Sequence, residues 1–215
     1  VCPELAAACP LRPDIIDGYR SMAGASPVYG VAVDIGTTTV VARLMNLADG
    51  RCLGTQAALN PQVAFGDDVI SRIGYARSEE GLSRLHDAII GCVNDLIARL
   101  CRDAGIPSNS IYEVCIVGNT TMNHLFLKLP VEQLGQAPYH ACSLNAHDLP
   151  PQKLGLTMNP AGSIHTVENI AGFVGADTTA VALAVDIDTV SAPTLAVDIG
   201  TNGELVLGNR KKMIS

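Results

Sequence analysis

The chain has 215 residues, a formal net charge of −7 from 14 Lys and Arg against 21 Asp and Glu, and a mean hydropathy of +0.28. That length allows one large domain or two small lobes. The acidic balance, with no basic run longer than Arg210-Lys211-Lys212, argues against nucleic acid or an anionic membrane as a partner, and no stretch approaches the roughly 18 consecutive apolar residues of a membrane-spanning helix.

Residues 1–28 carry Pro3, Pro10, Pro13 and Pro27 together with Gly18 and Gly24. They predict a linker or N-terminal extension with at most one short helix. The chain opens at Val1, not Met, without a basic region followed by an apolar core, so it is expected to be a piece of a longer protein. The seven cysteines (2, 9, 52, 92, 101, 115 and 142) are odd in number and contain no CxxC pair. They predict structural thiols in a reduced, cytoplasmic setting, not a disulfide framework or a metal knuckle. The five histidines show no metal-ligand spacing and predict surface or satisfied-core roles.

From Tyr29 the pattern changes. Tyr29 to Asp34 is a short apolar run ending in an acid, Ile35-Gly36-Thr37-Thr38 reads as a turn, and Thr39 to Leu47 is rich in β-formers. Ala48-Asp49-Gly50-Arg51 signals a hairpin into a third strand near Cys52 to Leu59, so three antiparallel strands are expected to open the domain. Helix follows, first around Asp67 to Arg77. A second covers Glu79 to Ala104, where Leu82, Leu85, Ile89, Val93, Leu96, Ile97 and Leu100 recur every three or four residues. Gly105-Ile106-Pro107 stops that helix, and Ile111 to Val117 returns to a strand ending at Gly118-Asn119-Thr120-Thr121. Strand, helix, strand predicts an α/β sheet. Residues 137–162, with four further prolines, read as a long irregular connection, and Gly175 to Val185 reads as a helix.

One segment occurs twice. Ala32-Val-Asp-Ile-Gly-Thr37 reappears unchanged as Ala196-Val-Asp-Ile-Gly-Thr201, and each copy is followed by a second strand-like run. Each therefore predicts a hairpin with an acid at the end of its first strand and a Gly-Thr-polar turn. Glycine lets backbone approach a ligand, turn amides and Thr hydroxyls donate to phosphate oxygens, and the acid can hold a hydrated magnesium ion. A single copy would read equally well as a good tight turn; two copies predict a clamp on one polyphosphate. No Gly-x-x-x-x-Gly-Lys-Ser/Thr occurs, which excludes the P-loop class.

The paired Asp-x-Gly-Thr hairpins resemble the phosphate motifs of the superfamily of acetate and sugar kinases, 70-kDa heat-shock proteins and actin. Six blocks narrow the resemblance: residues 33–39, Asn60-Pro61-Gln62, Gly66 to Arg72, Val117 to Met122, Asn169 to Ala180, and Asp198 to Glu204. Over residues 29–208 these are similar to ATP-dependent reductive activators of corrinoid proteins. The resemblance implies a ribonuclease H-like, actin-like ATPase lobe with a mixed sheet, and a protein that uses ATP to return an inactive Co(II) corrinoid to Co(I). It also implies a domain plan of a linker (1–28), a first lobe (29–190) and the opening hairpin of a second lobe (191–215). The [2Fe–2S] domain usual in the family is expected only in a missing N-terminal part, and the chain alone is expected to be inactive.

The site residues follow. Asp34 and Asp198 are expected to hold magnesium through water, and Gly36, Thr37, Thr38, Thr39, Gly200, Thr201, Asn202 and Gly203 to hold phosphates. Gly118, Asn119 and Thr120 lie at the carboxyl end of a strand, where open α/β sheets place ligands; a plain strand-to-helix turn capped by Asn119 or Thr120 is the competing reading. By resemblance Asp177 is the candidate general base or water-positioning residue; an ordinary helix N-cap is the alternative. Asp67 and Asp68 read as helix-start acids. Expected partners are ATP, magnesium and a corrinoid protein, with a homodimer left open. The rival functions are a small-molecule kinase, which would need an acceptor pocket, and a non-catalytic nucleotide-binding assembly module.

Overall fold

A computed structural model describes Gly18, Tyr19, Ser21, residues 27–200 and residues 203–215. The expected linker, with Cys2 and Cys9, falls almost entirely outside the described residues. A six-stranded mixed sheet forms the body, with strand order β3-β2-β1-β4-β6-β5. β1 (Tyr29–Ile35), β2 (Thr39–Asn46) and β3 (Cys52–Leu59) form the expected antiparallel meander. β4 (Ile111–Gly118) then runs parallel to β1, β6 (Ser163–Thr166) runs parallel to β4, and β5 (His147–Leu149) closes the edge antiparallel to β6. This is the expected α/β arrangement, a mixed sheet opened by three antiparallel strands.

The first helix, α1 (Val69–Tyr75), is shorter at both ends than its pattern suggested. Asp68 caps it by accepting from the Ser71 amide at 2.7 Å, and Ser71 Oγ lies 3.1 Å from the Asp68 amide, so a full capping box takes the acid out of the helix. α2 (Glu79–Ala104) has the expected bounds: Ser78 caps it and Gly105, in the left-handed region at φ 66°, ends it. Its periodic face, Leu85, Ile89, Val93, Leu96, Ile97 and Leu100, is buried against Val31, Val33, Ile35, Val40, Ala42 and Leu44 of the sheet. Each such side chain contributes roughly 1.5–3 kcal/mol. Alternation along β4 sends Val114 and Ile116 into that core and Cys115 and Val117 to the opposite face, where Ala176 and Ala180 of α5 (Ala176–Ala184) pack.

Two expectations need correction. The connection at 137–162 is not wholly irregular. It begins at a cis Ala137–Pro138 peptide and contains β5 and a one-turn helix, α4 (Pro151–Leu154), after which β6 follows. These segments are too short for periodicity to register; β6 exists because its amides pair with β4. The chain's end is also more than a hairpin: β7 (Thr194–Ile199), β8 (Gly203–Asn209) and β9 (Lys212–Ile214) make a three-stranded antiparallel sheet. Among the described residues no helix is long and apolar enough to cross a membrane.

Candidate functional site

α3 (Thr120–Leu127) starts where β4 ends, and Asn119 caps it, accepting from the Met122 amide at 3.0 Å. That settles the choice between Asn119 and Thr120. Asn119 also donates from Nδ2 to Thr37 Oγ1 at 3.1 Å, tying this helix start to the β1–β2 turn. Gly118 sits opposite Ile35 in the parallel ladder, and a Cβ there would lie 2.7 Å from the Ile35 carbonyl oxygen. Gly175, which precedes α5, is equally confined: a Cβ would lie 2.4 Å from Asn119 Cα. Only two glycines allow the β1 end and the starts of α3 and α5 to crowd together.

The result is a cleft of about 260 Å³ lined by Asp34, Gly36, Thr37, Thr38, Thr39, Asn119, Asp177, Asp198, Gly200 and Glu204. Asp34, Gly36 and Thr37 of the first copy and Asp198 and Gly200 of the second thus meet at one cavity, although β1 belongs to the large sheet and β7 to the small one. Gly118, Thr120 and Gly203 do not line it. Thr120 instead braces the approach to α5, donating from Oγ1 to the Ala171 carbonyl at 2.6 Å. Thr201 and Asn202 lie outside the described residues. Glu204 was not singled out as a site residue, yet it stands beside Asp198 across the β7–β8 ladder; only its place in the second motif signalled it.

Four carboxylates line this cleft, and three of them are pushed up by burial and by neighbouring acids. Burial, and then the facing Asp177 and Asp198, push the Asp34 carboxyl up to about 6. Burial and Asp198 push Asp177 up, against the amide of Thr178, which donates to Asp177 Oδ1 at 2.7 Å. Burial, Asp177 and Asp198 also push Glu204 up. Asp177 is not the N-cap of α5; Gly175 holds that position and has no side chain to cap with, so Asp177 sits in the first turn with its carboxyl at the cleft.

Such a cluster suits a cation bridging acids and an anion. Among the described residues no three His, Cys, Asp or Glu side chains are grouped to ligate one metal ion directly. Cys52, Cys92, Cys101, Cys115 and Cys142 are free thiols, and no iron–sulfur ligand set occurs among the described residues. Histidines serve structure: His124 Nδ1 bonds with the Thr120 carbonyl at 2.7 Å, and His165 pairs with Asp148 at 2.8 Å.

The chain is similar to known proteins over most of its length. Residues 29–190 match the family model described as the RACo middle region. Over 199 residues the chain is 42% identical to the corrinoid activation enzyme RamQ of Eubacterium limosum, covering 92% of this chain and 33% of that protein. A solved structure of a reductive activator for a corrinoid, iron–sulfur protein superposes with a TM-score of 0.86 at 40% identity, covering 89% of this chain and 31% of that one. The chain therefore spans about a third of the length of these two relatives. With the family model covering the whole meander, both core helices and α5, the chain belongs to the RACo middle region family.

Proposed function

We propose that this chain is the phosphate-binding part of an ATP-dependent activator that returns a corrinoid protein from Co(II) to Co(I). The single observation carrying this reading is the meeting of Asp34, Asp177 and Asp198 with the Gly36–Thr39 turn in one cleft. The turn amides and the Thr37 and Thr38 hydroxyls hold phosphate oxygens, with Asn119 keeping Thr37 in place. Asp34 and Asp198 hold magnesium through water, and Glu204 adds to the same field. When bound, magnesium neutralises the carboxylates and the triphosphate together.

Asp177 positions the water that attacks the terminal phosphate and takes its proton. Its burial favours this, because a carboxylate pushed above its ordinary range is a better base near neutral pH. A corrinoid protein is the partner in which the work is done, and the iron–sulfur electron source belongs to a part of the protein outside residues 29–215. Residues 191–215 open a second lobe that completes the cleft around the nucleoside, so the chain by itself is inactive.

The test is magnesium-dependent ATP hydrolysis by the full-length protein, with and without a Co(II) corrinoid protein. Turnover that rises on adding the corrinoid protein, together with the appearance of the Co(I) absorption band, supports the reading. Phosphoryl transfer to a small molecule, or turnover indifferent to the corrinoid protein, overturns it.

A further inference from the structure

Arg72 is the largest side chain with no exposed surface, and no acid pairs with it among the described residues. Asp68 and Asp67 act on it only at a distance, and burial pushes its guanidinium down to about 10, so it remains charged near neutral pH. A buried cation without a paired acid is expensive, and a core position with only a packing duty is better served by an apolar side chain. Its neighbours explain its presence. Nη2 donates to the Thr37 carbonyl at 2.6 Å, Nε to the Gly66 carbonyl at 2.9 Å, and Nη1 to Gln62 Oε1 at 3.3 Å and Met122 Sδ at 3.1 Å.

Asn60, also fully buried, works beside it. Its Nδ2 donates to the Gly36 carbonyl at 2.9 Å, and its backbone amide donates to the Thr38 carbonyl at 2.8 Å. Gln62 donates from Nε2 to the Leu85 carbonyl at 2.9 Å, which anchors the bracket to α2. Three consecutive carbonyls of the β1–β2 turn, at Gly36, Thr37 and Thr38, are thus each held from within. In a trans peptide the carbonyl and the next amide point to opposite edges of one plane. Fixing those three carbonyls inward turns the amides of Thr37, Thr38 and Thr39 the other way, and residues 36–39 line the cleft.

We propose that Arg72 is a positioning residue for phosphate: with Asn60 it sets the peptide planes of the first turn so that three successive amides face the bound anion. The proposal rests on the reading of the cleft as a phosphate site. A guanidinium is required because its planar fork reaches the turn through Nη2 and the Gly66 segment through Nε at once, which an ammonium cannot do. The same charge also lies behind the turn, and among the described lining residues of the cleft there is no Lys or Arg to meet an anion.

The test uses the full-length protein, with binding of magnesium-ATP and of adenosine followed by calorimetry and amide hydrogen exchange followed at residues 36–39. In the unmutated protein, magnesium-ATP is expected to slow exchange at Thr37, Thr38 and Thr39. Arg72→Lys keeps the charge and loses the fork, and Arg72→Met loses both. Each is expected to weaken magnesium-ATP binding by roughly 10- to 100-fold while adenosine affinity holds.

Should Arg72→Met not fold, Arg72→Lys and the exchange experiment decide. Variants that bind magnesium-ATP as tightly as the unmutated protein overturn the proposal and leave the phosphate site standing. So does an equal loss of ATP and adenosine affinity, which marks a role in folding alone, or unchanged exchange at all three amides on ATP binding. If the unmutated protein binds no magnesium-ATP, the phosphate site itself falls, and the proposal with it.

Discussion

Asn119 and Thr37, 82 residues apart in sequence, are joined by a single 3.1 Å bond from Nδ2 to Oγ1, which ties the start of α3 to the β1–β2 turn. The same side chain caps α3 through its Oδ1 atom. Asn119→Asp separates the two duties. It keeps the capping acceptor and adds a fifth negative charge to a cleft that already holds Asp34, Asp177, Asp198 and Glu204. Thermal stability should fall at about pH 8 and recover on acidification, since the cap is kept but a buried charge is added, and magnesium-ATP affinity should fall by about tenfold or more. Unchanged affinity would mean that phosphate does not approach this corner.

Asp34→Asn should stabilise the protein while abolishing magnesium-ATP binding. The folded state raises the Asp34 carboxyl to about 6, above its ordinary value, so the folded chain binds that proton more tightly than the unfolded one. The ionised carboxylate therefore costs stability above about pH 6, and the cost fades as pH falls toward about 4. At about pH 8 the variant should be more stable by up to roughly 2–3 kcal/mol, with the gap closing on acidification or on adding millimolar magnesium. Melting curves across pH check this, and a variant less stable than the unmutated protein at pH 8 would contradict it.

Asp177→Asn separates water positioning from helix capping. Since Gly175 is the cap, an amide oxygen can still accept from the Thr178 N–H and a buried charge is removed, the melting temperature should hold or rise. Turnover should fall by about 10²-fold or more with nucleotide affinity little altered. Steady-state kinetics and calorimetry on one preparation suffice; if affinity and stability drop while turnover per bound nucleotide is kept, Asp177 is structural.

Tyr19 and Glu113 form a second buried pair, far from the cleft. The phenol donates to Glu113 Oε2 at 2.8 Å, its ring packs on Tyr112 with centroids 5.4 Å apart, and burial pushes the Glu113 carboxyl up to about 7. Tyr19→Phe keeps the ring and removes the donor. The protonated carboxyl tolerates that loss better than the carboxylate does, so the destabilisation, about 1–2 kcal/mol, should be larger at about pH 8 than at about pH 6. Denaturant unfolding at the two pH values checks it; an equal loss at both would show that the carboxyl does not ionise across that range.

Much of this protein was legible in its sequence because the information was local. The apolar stripe from Leu82 to Leu100, bracketed by Ser78 and Gly105, delimits α2 within a few turns of chain, and Asp49-Gly50 announces the β2–β3 hairpin. The repeated Asp-Ile-Gly-Thr marked two segments whose residues line one cleft. What local pattern could not carry was convergence. β6, four residues of Ser-Ile-His-Thr, is a strand only because β4 offers it a parallel partner. Asp177 lies in the first turn of α5 with its carboxyl at the cleft, not at the cap, because Gly175 lets α5 settle against Asn119.

Glu204 joins the acidic cluster through its cross-strand pairing with Asp198. Arg72 reaches the Thr37 carbonyl only because burial takes it beneath the β1–β2 turn. Periodicity, capping and turn chemistry act over a few residues and can be read along the chain. The raised carboxyls and the buried guanidinium come from desolvation and from charges brought near each other by long-range pairing, which exist only once the sheet has closed.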